Sequence, residues 1–250
     1  MDSRSGEFYR DQVTRSVEPV TPIDARLERV LDAAADLLVR MGYRRVTIDE
    51  VARRAGIGKG TVYLHFPTKE ALFLAVLLRT HHGVQARIVA RMEADPAEVM
   101  PGRLARSVYL DVAADPVTRP LYLGDAEVLG RLVHESVDTL GELSRRRQEG
   151  ARAWLGLLRE ADLLRTDYDV DTQLYLLSTI NSGFYFVDGL PVPGAPADPA
   201  GRAELLEHVV AAALEVPGAH DNAAAVAPAV AELYHSLIDH IDEEWRRRLR

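Results

Sequence analysis

Apolar residues recur with a helical period over most of this chain, and the first clear stripe begins at residue 27. Spacings of three and four residues place these side chains on one helix face, and Gly42 directly after them is typical of a helix C-terminus. A first helix is therefore predicted over about residues 24–41. Residues 1–22 lack such a period and are expected to form a flexible arm. The stripe consists of Leu27, Val30, Leu31, Ala34, Leu37, Leu38 and Met41.

Two short helices are predicted in the segment TIDEVARRAGIGKGTVYLHF, residues 47–66. Thr47 and Glu50 have the T-x-x-E spacing of a capping box, in which each side chain satisfies a free backbone N–H of the first turn. Gly56 ends this helix, and a shorter helix follows over about residues 59–66. Because Gly, Thr and Val are poor helix formers, packing against the rest of the protein must support this second helix.

The rest of the chain has the patterns of further helices and no pattern of a strand. Thr68 is placed to cap a fourth helix, in which Gly83 is a candidate kink. The Pro- and Gly-rich stretch LPVPGAPADPAG, residues 190–201, is the clearest loop. An all-α fold is predicted. Beyond the fourth helix, the predicted helical segments lie at about residues 97–114, 121–136, 137–164, 170–189, 202–215 and 224–250.

Composition agrees with a helical globular protein. Of 250 residues 47% are apolar and only 6% are aromatic, which supplies a substantial core and favours helices. The absence of cysteine excludes disulfides, thiolate metal sites and cysteine nucleophiles. No apolar run approaches the roughly 20 residues of a membrane span, and the polar N-terminus is unlike a signal peptide. The protein is expected to be cytoplasmic, with no membrane contact.

The charge is distributed unevenly along the chain. Residues 40–69 contain seven basic and two acidic side chains, whereas residues 91–250 contain 16 basic and 27 acidic ones. A charge cluster is usually a solvated helix face, which is the favoured interpretation for Arg53 and Arg54. A basic segment beside an acidic remainder instead indicates that one segment contacts a polyanion.

A helix, a glycine turn and a short second helix, braced by a preceding helix, form the arrangement of a helix-turn-helix DNA-binding unit. The major groove admits one α-helix, which must be exposed on one side and supported on the other. Val62 and Phe66, at i and i+4, are predicted to face inward. The side chains expected to face outward are Lys59, Thr61, Tyr63 and His65.

The stretch RVLDAAADLLVRMGYRRVTIDEVARRAGIGKGTVYLHFPTKEALF resembles the TetR (tetracycline-repressor) family of bacterial transcription regulators. The matching features are the first helix, the G-Y-x-x-x-T boundary, VARRAG, KGTVYLHF and TKEAL, and they cover about residues 24–83. The resemblance implies a three-helix helix-turn-helix DNA-binding domain over residues 23–83, with its motif at residues 47–66. It also implies a larger helical effector-binding and dimerisation domain over residues 84–250.

Carried over residue by residue, the resemblance implies two groups of DNA contacts. Phosphate contacts position a protein on DNA, and base contacts select the sequence. Three of the contact residues also have an explanation that involves no DNA. Thr47 could serve only as a helix cap, the Tyr63 ring could serve only in packing, and Lys69 could be an ordinary solvated lysine. Gly58 departs from the Ser or Ala that is commoner at its position. The expected phosphate contacts are Arg45, Thr47, Tyr63, His65 and Lys69, and the expected base-edge contacts are Lys59, Gly60, Thr61 and Leu64.

The resemblance further implies a small-molecule effector and a homodimer, since two symmetric DNA-contacting helices match a palindromic site on double-stranded DNA. Residues 171–187 and the last helices are the candidates for a four-helix bundle between subunits, although an intramolecular core uses the same kind of stripe. The pocket candidates combine large apolar surface with a few polar groups. They are Tyr122, His134, Trp154, Asn181, Phe184 and Tyr185.

The favoured function is a ligand-responsive transcriptional regulator, a repressor that binds a palindromic operator as a dimer and is released by its effector. The alternatives are a TetR-type activator and a ligand-independent regulator. A third alternative is an enzyme or small-molecule-binding protein without a DNA role. The sequence argues against it, because it has no phosphate loop, no G-x-S-x-G and no H-E-x-x-H motif. Adjacent His81 and His82 point to different helix faces and are therefore poor joint ligands for a metal ion. A helical protein-interaction module would leave the basic segment unexplained. No catalytic residue, metal site or cofactor is predicted.

Overall fold

The computed structural model describes residues 25–119, 137–188 and 190–248, and this part of the chain is all-α. The described residues form nine α-helices and two short 3-10 helices, Pro96–Val99 and Ala219–Ala225. The α-helices are α1 Ala25–Met41, α2 Ile48–Ala55, α3 Lys59–His65, α4 Lys69–Ala94, α5 Pro101–Ala114, α6 Val137–Glu160, α7 Val170–Val187, α8 Pro199–Leu214 and α9 Ala227–Arg248.

The helix ends near the N-terminus follow the predicted signals. Gly42 and Gly56 have φ angles of 71° and 69°, in the left-handed region that glycine enters without a steric penalty. The side chain of Thr68 accepts a hydrogen bond of 3.1 Å from the backbone N–H of Ala71. The predicted glycine ends of α1 and α2 and the threonine cap of α4 are therefore confirmed.

α4 continues as one helix through Gly83, the candidate kink. Two predicted boundaries differ from the structure. α6 ends at Glu160, after which the chain turns through Asp162 at a φ of 55°. The last predicted helix begins as the second 3-10 helix and becomes α-helical only at Ala227.

Two predicted segments, the arm at residues 1–22 and the helix at 121–136, lie outside the described residues. Within the described ranges, the only pairing between extended backbone is an isolated bridge from Leu164 to Glu215. No single helix within these ranges is long and apolar enough to cross a membrane. Helices α3 and α4 together have the length and apolar composition of a span, but they are bent by 66° relative to each other.

Helix α4 contributes to two apolar cores. The first combines α1 to α4, up to Leu78, with Leu143 of α6 and with Ile241 and Trp245 of α9. The second begins at Val84 and is formed with α5 to α9. The core partners of α4 thus change close to the predicted domain boundary at residue 83, but the end of α9 completes the core of the N-terminal helices.

Candidate nucleic-acid interface and ligand cavity

The N-terminus of α2 is closed by the predicted capping box. The backbone N–H of Glu50 donates to Thr47 Oγ1 at 3.3 Å, and the Thr47 N–H and hydroxyl each donate to Glu50 Oε2 at 2.8 Å. These hydrogen bonds hold the pKa of Glu50 below its ordinary value, and the bond from the Thr47 hydroxyl has the largest effect. The hydroxyl and the backbone N–H of Thr47, an expected phosphate contact, are therefore both engaged within the same helix turn.

Helix α3 separates a buried side from an exposed side, as predicted. Val62 and Phe66, just beyond the helix, are completely buried, whereas Leu64 is 73% and Tyr63 44% exposed. A Cβ added to Gly60 would meet nothing within 4 Å. Intramolecular packing therefore gives no reason for glycine at this position.

Lys59 at the start of α3 is paired within the protein. Its Nζ lies 2.9 Å from Asp49 Oδ2 and 5.9 Å from the centre of the Tyr63 ring. The hydrogen bond to Asp49 raises the pKa of Lys59. Thr61, the next expected base contact, is half-buried. A base edge must therefore compete with Asp49 for the ammonium group.

Lys69 begins α4 beside an aromatic side chain. Its Nζ lies 4.3 Å from the ring centre of buried Tyr43, whose hydroxyl donates to Glu70 Oε1 at 2.9 Å. His65 is half-buried, with its ring centre 6.5 Å from that of Phe66. His65 is the last residue of α3 and Lys69 is the first residue of α4, so the two groups lie on either side of the turn between these helices.

The basic side chains of residues 40–69 divide into paired and unpaired groups. Arg40 and Arg54 both contact Asp36 of α1, at 2.8 and 2.7 Å. Arg54 is exposed, as expected for a solvated helix face, and its pair with Asp36 also connects α2 to α1. Among the described residues, the exposed arginines of this segment without an ion-pair partner are Arg44, Arg45 and Arg53.

A cavity of about 890 Å³ lies in the second core, between α4, α5, α6, α7 and α9. Trp154, Asn181 and Tyr185, three of the predicted pocket residues, line it. Phe184 does not line the cavity; it packs half-buried against the second core, because neighbouring positions on a helix point in different directions. The remaining two candidates, Tyr122 and His134, lie outside the described residues.

Two lining aromatic residues are held by contacts with their surroundings. Trp154 Nε1 donates to the carbonyl oxygen of Val99 at 2.8 Å, within the buried core. The ring of Tyr185 stacks on Tyr109, with centres 5.4 Å apart and planes 17° from parallel. The cavity therefore has rigid aromatic walls and a volume in the range typical of small-molecule sites.

Residues 30–76 match the family described as bacterial regulatory proteins, tetR family. The match begins in α1, includes the whole of α2 and α3 and ends in α4, which are the helices described above. Residues 30–76 are therefore a domain of the TetR family. The N-terminal helices of the chain are thus a DNA-binding helix-turn-helix domain of transcription regulators.

Two curated proteins with sequences similar to this chain are named for opposite effects on transcription, activation and repression. The transcriptional activator FasR of Mycolicibacterium smegmatis is 45% identical over 58 residues, 23% of this chain and 26% of FasR. The transcriptional repressor KstR of Rhodococcus jostii is 30% identical over 122 residues, 47% of this chain and 55% of KstR. The chain thus spans between a quarter and about half of the length of these relatives.

A solved structure extends the likeness to most of the chain. The transcriptional regulator FadR from Bacillus subtilis, in complex with stearoyl-CoA, aligns with a TM-score of 0.52 at 14% identity, over 73% of this chain and 96% of FadR. At this identity the likeness concerns the fold alone. The helical domain after the TetR helix-turn-helix therefore has a fold found in another regulator.

Part of the exposed apolar surface lies on α7 and α8. α9 is different, because Ile241 and Trp245 are buried in the first core. Of the helices predicted to form an interface between subunits, α7 and α8 leave an apolar face open, and α9 uses its apolar residues within the chain. The exposed residues of this face are Tyr175, Phe186, Val187, Leu205 and Val209, with exposures of 69%, 77%, 43%, 46% and 40%.

Most polar residues of the cavity wall were not predicted from the sequence, among them Gln85, Arg146 and Arg147. Gln85 of α4 is 3% exposed, and Arg146 and Arg147 lie on α6. For Gln85, the sequence gives one indication of burial: this residue directly follows Val84, which belongs to the apolar stripe of α4. The arginines belong to a run that resembles any solvated helix face, so the sequence gives no signal that they face a cavity.

Proposed function

We propose that the protein regulates transcription as a homodimer, with α3 of each subunit in the major groove of a palindromic DNA site. The observation that carries this proposal is the division of α3 into a completely buried side at Val62 and Phe66 and an exposed side at Tyr63 and Leu64. A helix supported in this way and exposed on its other side fits the groove. The longer match, to the repressor KstR, favours repression.

The DNA contacts divide into those that position the protein and those that select sequence. Exposed Arg45 adds positive charge beside the DNA backbone, and Thr47 donates to a phosphate once Glu50 is displaced. The helix dipole at the N-terminus of α2 favours this exchange of one anion for another. The other phosphate contacts are Tyr63, His65 and Lys69, and the base-edge contacts are Lys59, Gly60, Thr61 and Leu64.

The apolar face of α7 and α8 forms the contact between subunits in this proposal. Two such faces related by a two-fold axis would bury each other in a four-helix arrangement. The axis would then place two copies of α3 on successive turns of the duplex. Dimerisation thus explains both the exposed apolar residues and the need for a symmetric DNA site.

A small molecule in the cavity is proposed to weaken DNA binding. The cavity is lined by Gln85 and Ile88 of α4, and α4 begins at Lys69 beside the DNA-contacting helix. A change in α4 on ligand binding would therefore move the N-terminal helices. By linkage, DNA would weaken ligand binding by the same factor. FadR, a regulator of similar fold, binds stearoyl-CoA, which supports the use of this domain for a small molecule.

The DNA-binding proposal is tested with duplexes selected by the protein from a random library, using fluorescence anisotropy at several salt concentrations. Binding should weaken steeply with salt, and Lys69→Ala should lower the slope of log K against log salt by about 0.9, the share of one phosphate. Tyr63→Ala should weaken binding to all sequences, while Tyr168→Ala, an exposed tyrosine outside the N-terminal helices, serves as the control. Failure to select any duplex, or a salt slope near zero, would refute the proposal.

A further inference from the structure

The charged side chains on the cavity wall are engaged with other groups of the protein. Arg147 is one of them, and it interacts with groups within the chain. An ionic ligand would therefore compete with existing partners for a counter-charge, whereas a neutral ligand leaves these partners in place. The other charged lining residues are Arg119, which pairs with Asp188 at 2.5 Å, Arg146, which pairs with Glu142 at 2.6 Å, and Glu149, which pairs with Arg145.

Two uncharged lining residues also use N–H groups within the protein. Trp154 Nε1 donates to the carbonyl oxygen of Val99 at 2.8 Å. Asn181 Nδ2 donates to the carbonyl oxygen of Leu177 at 2.9 Å, which leaves its Oδ1 to accept a hydrogen bond. These two residues therefore contribute mainly carbon surface and an amide oxygen to the wall.

Gln85 of α4 provides the strongest indication of what the cavity binds. Its side chain is 3% exposed, and its Oε1 has no hydrogen-bond partner among the described residues. A buried carbonyl oxygen without a donor is unfavourable, because it has lost its hydrogen bonds to water and gained none in return. A ligand that donates a hydrogen bond to this oxygen removes the unfavourable contribution.

Gln85 can turn this oxygen towards the cavity at little cost. The residue lines the cavity, while Oε1 itself is buried. Because the last torsion of a glutamine side chain is broad and roughly two-fold, a half-turn exchanges the oxygen and the nitrogen of the amide. A donor in the cavity stabilises the orientation with the oxygen inward, since only that orientation forms the hydrogen bond.

The wall around this amide includes apolar side chains from three helices. Ile88 of α4, Leu104 of α5 and Trp154 of α6 line the cavity and are buried. With its indole N–H already bonded, Trp154 presents carbon surface to an occupant. This part of the wall suits an aliphatic chain or ring system, which gains by leaving water.

We propose that the cavity binds a neutral, largely apolar alcohol, whose hydroxyl group donates to Gln85 Oε1 and whose apolar part packs against Ile88, Leu104 and Trp154. This inference rests on the proposed function, since it assigns a chemical class to the effector of that cavity. The apolar part supplies most of the burial, and the hydroxyl group decides selectivity.

Other head groups fit the amide oxygen less well. An ether of the same size has no donor and leaves Gln85 Oε1 without a partner. A carboxylate offers only acceptors, and its charge must compete with the existing partners of the arginines. An ammonium group is a donor, but its charge is repelled by the arginines of the wall. A hydroxyl group combines a donor with zero charge.

The test is isothermal titration calorimetry of the full chain with 1-decanol and methyl nonyl ether, two isomers that differ in the presence of a donor. Decanol should bind about tenfold more tightly than the ether, and decanoate should bind more weakly than decanol. Gln85→Met keeps an unbranched side chain and removes the acceptor, so the affinity for decanol should fall to that for the ether. Gln85→Leu should repeat this result, and circular dichroism checks that both variants keep the helical fold.

A matched control separates the cavity from the surface. Gln148→Leu replaces an exposed glutamine of α6 that does not line the cavity, and it should leave the affinities for alcohol and ether unchanged. Equal affinity for alcohol and ether, no binding of decanol, or an unchanged preference in both Gln85 variants would each overturn the inference. DNA binding is measured on the protein without added ligand, so these outcomes leave the DNA-binding proposal standing, and a failure to bind DNA leaves the ligand result unaffected.

Discussion

In the DNA-free protein, acidic neighbours hold two of the groups assigned to DNA contacts. Glu50 accepts both donors of Thr47, and Asp49 accepts from Lys59 at 2.9 Å. A phosphate or base edge must displace these carboxylates before it is bound. Because each exchange replaces one hydrogen bond by another, the gain on DNA binding comes from charge and position more than from the number of bonds.

Substitution of Gly60 tests whether DNA approaches the backbone of α3. Gly60→Ala should stabilise the folded protein by about 0.5–1 kcal/mol, because alanine favours a helix and the added Cβ meets nothing within 4 Å. It should weaken DNA binding, since the methyl group lies on the exposed face. Urea unfolding and anisotropy measure the two effects. Gly141→Ala in α6, equally unobstructed, should stabilise without changing DNA affinity; an unchanged DNA affinity in both variants would refute the close approach.

His81 makes stability depend on pH. Its folded-state pKa of about 3 lies below the ordinary 6.5, owing first to burial and then to Arg147 and His82. The stabilisation by neutral His81 is therefore complete above about pH 6.5 and is lost as the pH falls towards 3. Between pH 7 and pH 5 the unfolding free energy should fall by about 2 kcal/mol more in the unmodified chain than in His81→Gln.

Urea unfolding at the two pH values measures this difference. His235→Gln, which replaces an exposed histidine of α9, is measured alongside so that a change specific to His81→Gln can be recognised. The same pH dependence in the unmodified chain and in His81→Gln would show that His81 is not the group responsible.

At the residue scale, chemistry that depends on near neighbours was predictable from the sequence. The bonds between Thr47 and Glu50, and the left-handed glycines that end α1 and α2, involve positions within one helix turn. The pair between Arg54 and Asp36 joins two different helices, and no local pattern indicates it. The same limit applies to Lys59, whose partner Asp49 precedes the turn between α2 and α3.

At the element scale, α5 and α8 approach each other closely at Gly102. A Cβ on Gly102 would lie 2.8 Å from the backbone oxygen of Glu207 and 3.2 Å from Ala211. The Gly102 N–H also donates to Glu215 Oε1 at 2.7 Å. The pKa of the Glu215 carboxyl is raised, and burial is the main cause. Two helices are therefore in contact through backbone atoms at a position where only glycine fits.

Gly102→Ala should destabilise the protein by about 1–3 kcal/mol, because helix backbone cannot move aside as a flexible side chain does. Thermal unfolding should show a lower midpoint. Gly156→Ala in α6 meets nothing within 4 Å and should not lower it. An unchanged midpoint in Gly102→Ala would show that α5 and α8 separate at little cost.

The start of α8 illustrates why one element boundary was misplaced. The Pro-rich stretch predicted as a loop to residue 201 contains the first turn of α8, which begins at Pro199. Asp198 caps this turn by accepting from the Gly201 N–H at 2.8 Å. Proline at the first helical position loses no hydrogen bond, so the residues that indicate a loop here also begin a helix.

At the scale of the whole molecule, the open apolar face of α7 and α8 makes the dimer testable. Tyr175→Asp places a charge on this face and should convert a dimer into a monomer in light scattering at micromolar concentration. DNA affinity should fall as well, because each subunit then binds only half of the site. Tyr168→Asp changes an exposed tyrosine outside both helices and is the control. A dimer that survives Tyr175→Asp would place the interface elsewhere.

The cavity could be predicted only in part, because it is made by helices far apart in the sequence. Aromatic content indicated Trp154 and Tyr185, which line it. Gln85 and Arg147 acquire their significance from what α4, α6 and α9 bring together, and this is a property of packing. The sequence pattern determines which face of each helix is buried, but it does not determine which helices share a cavity.

The position of Trp245 in the first core has a consequence for protein synthesis. The DNA-binding helices leave the ribosome before α9, yet their core includes Ile241 and Trp245 of α9. Until translation reaches these residues, the apolar surface of α4 that they cover remains open to solvent. The DNA-binding unit therefore matures late, and a nascent chain that already carries α3 does not yet have its finished support.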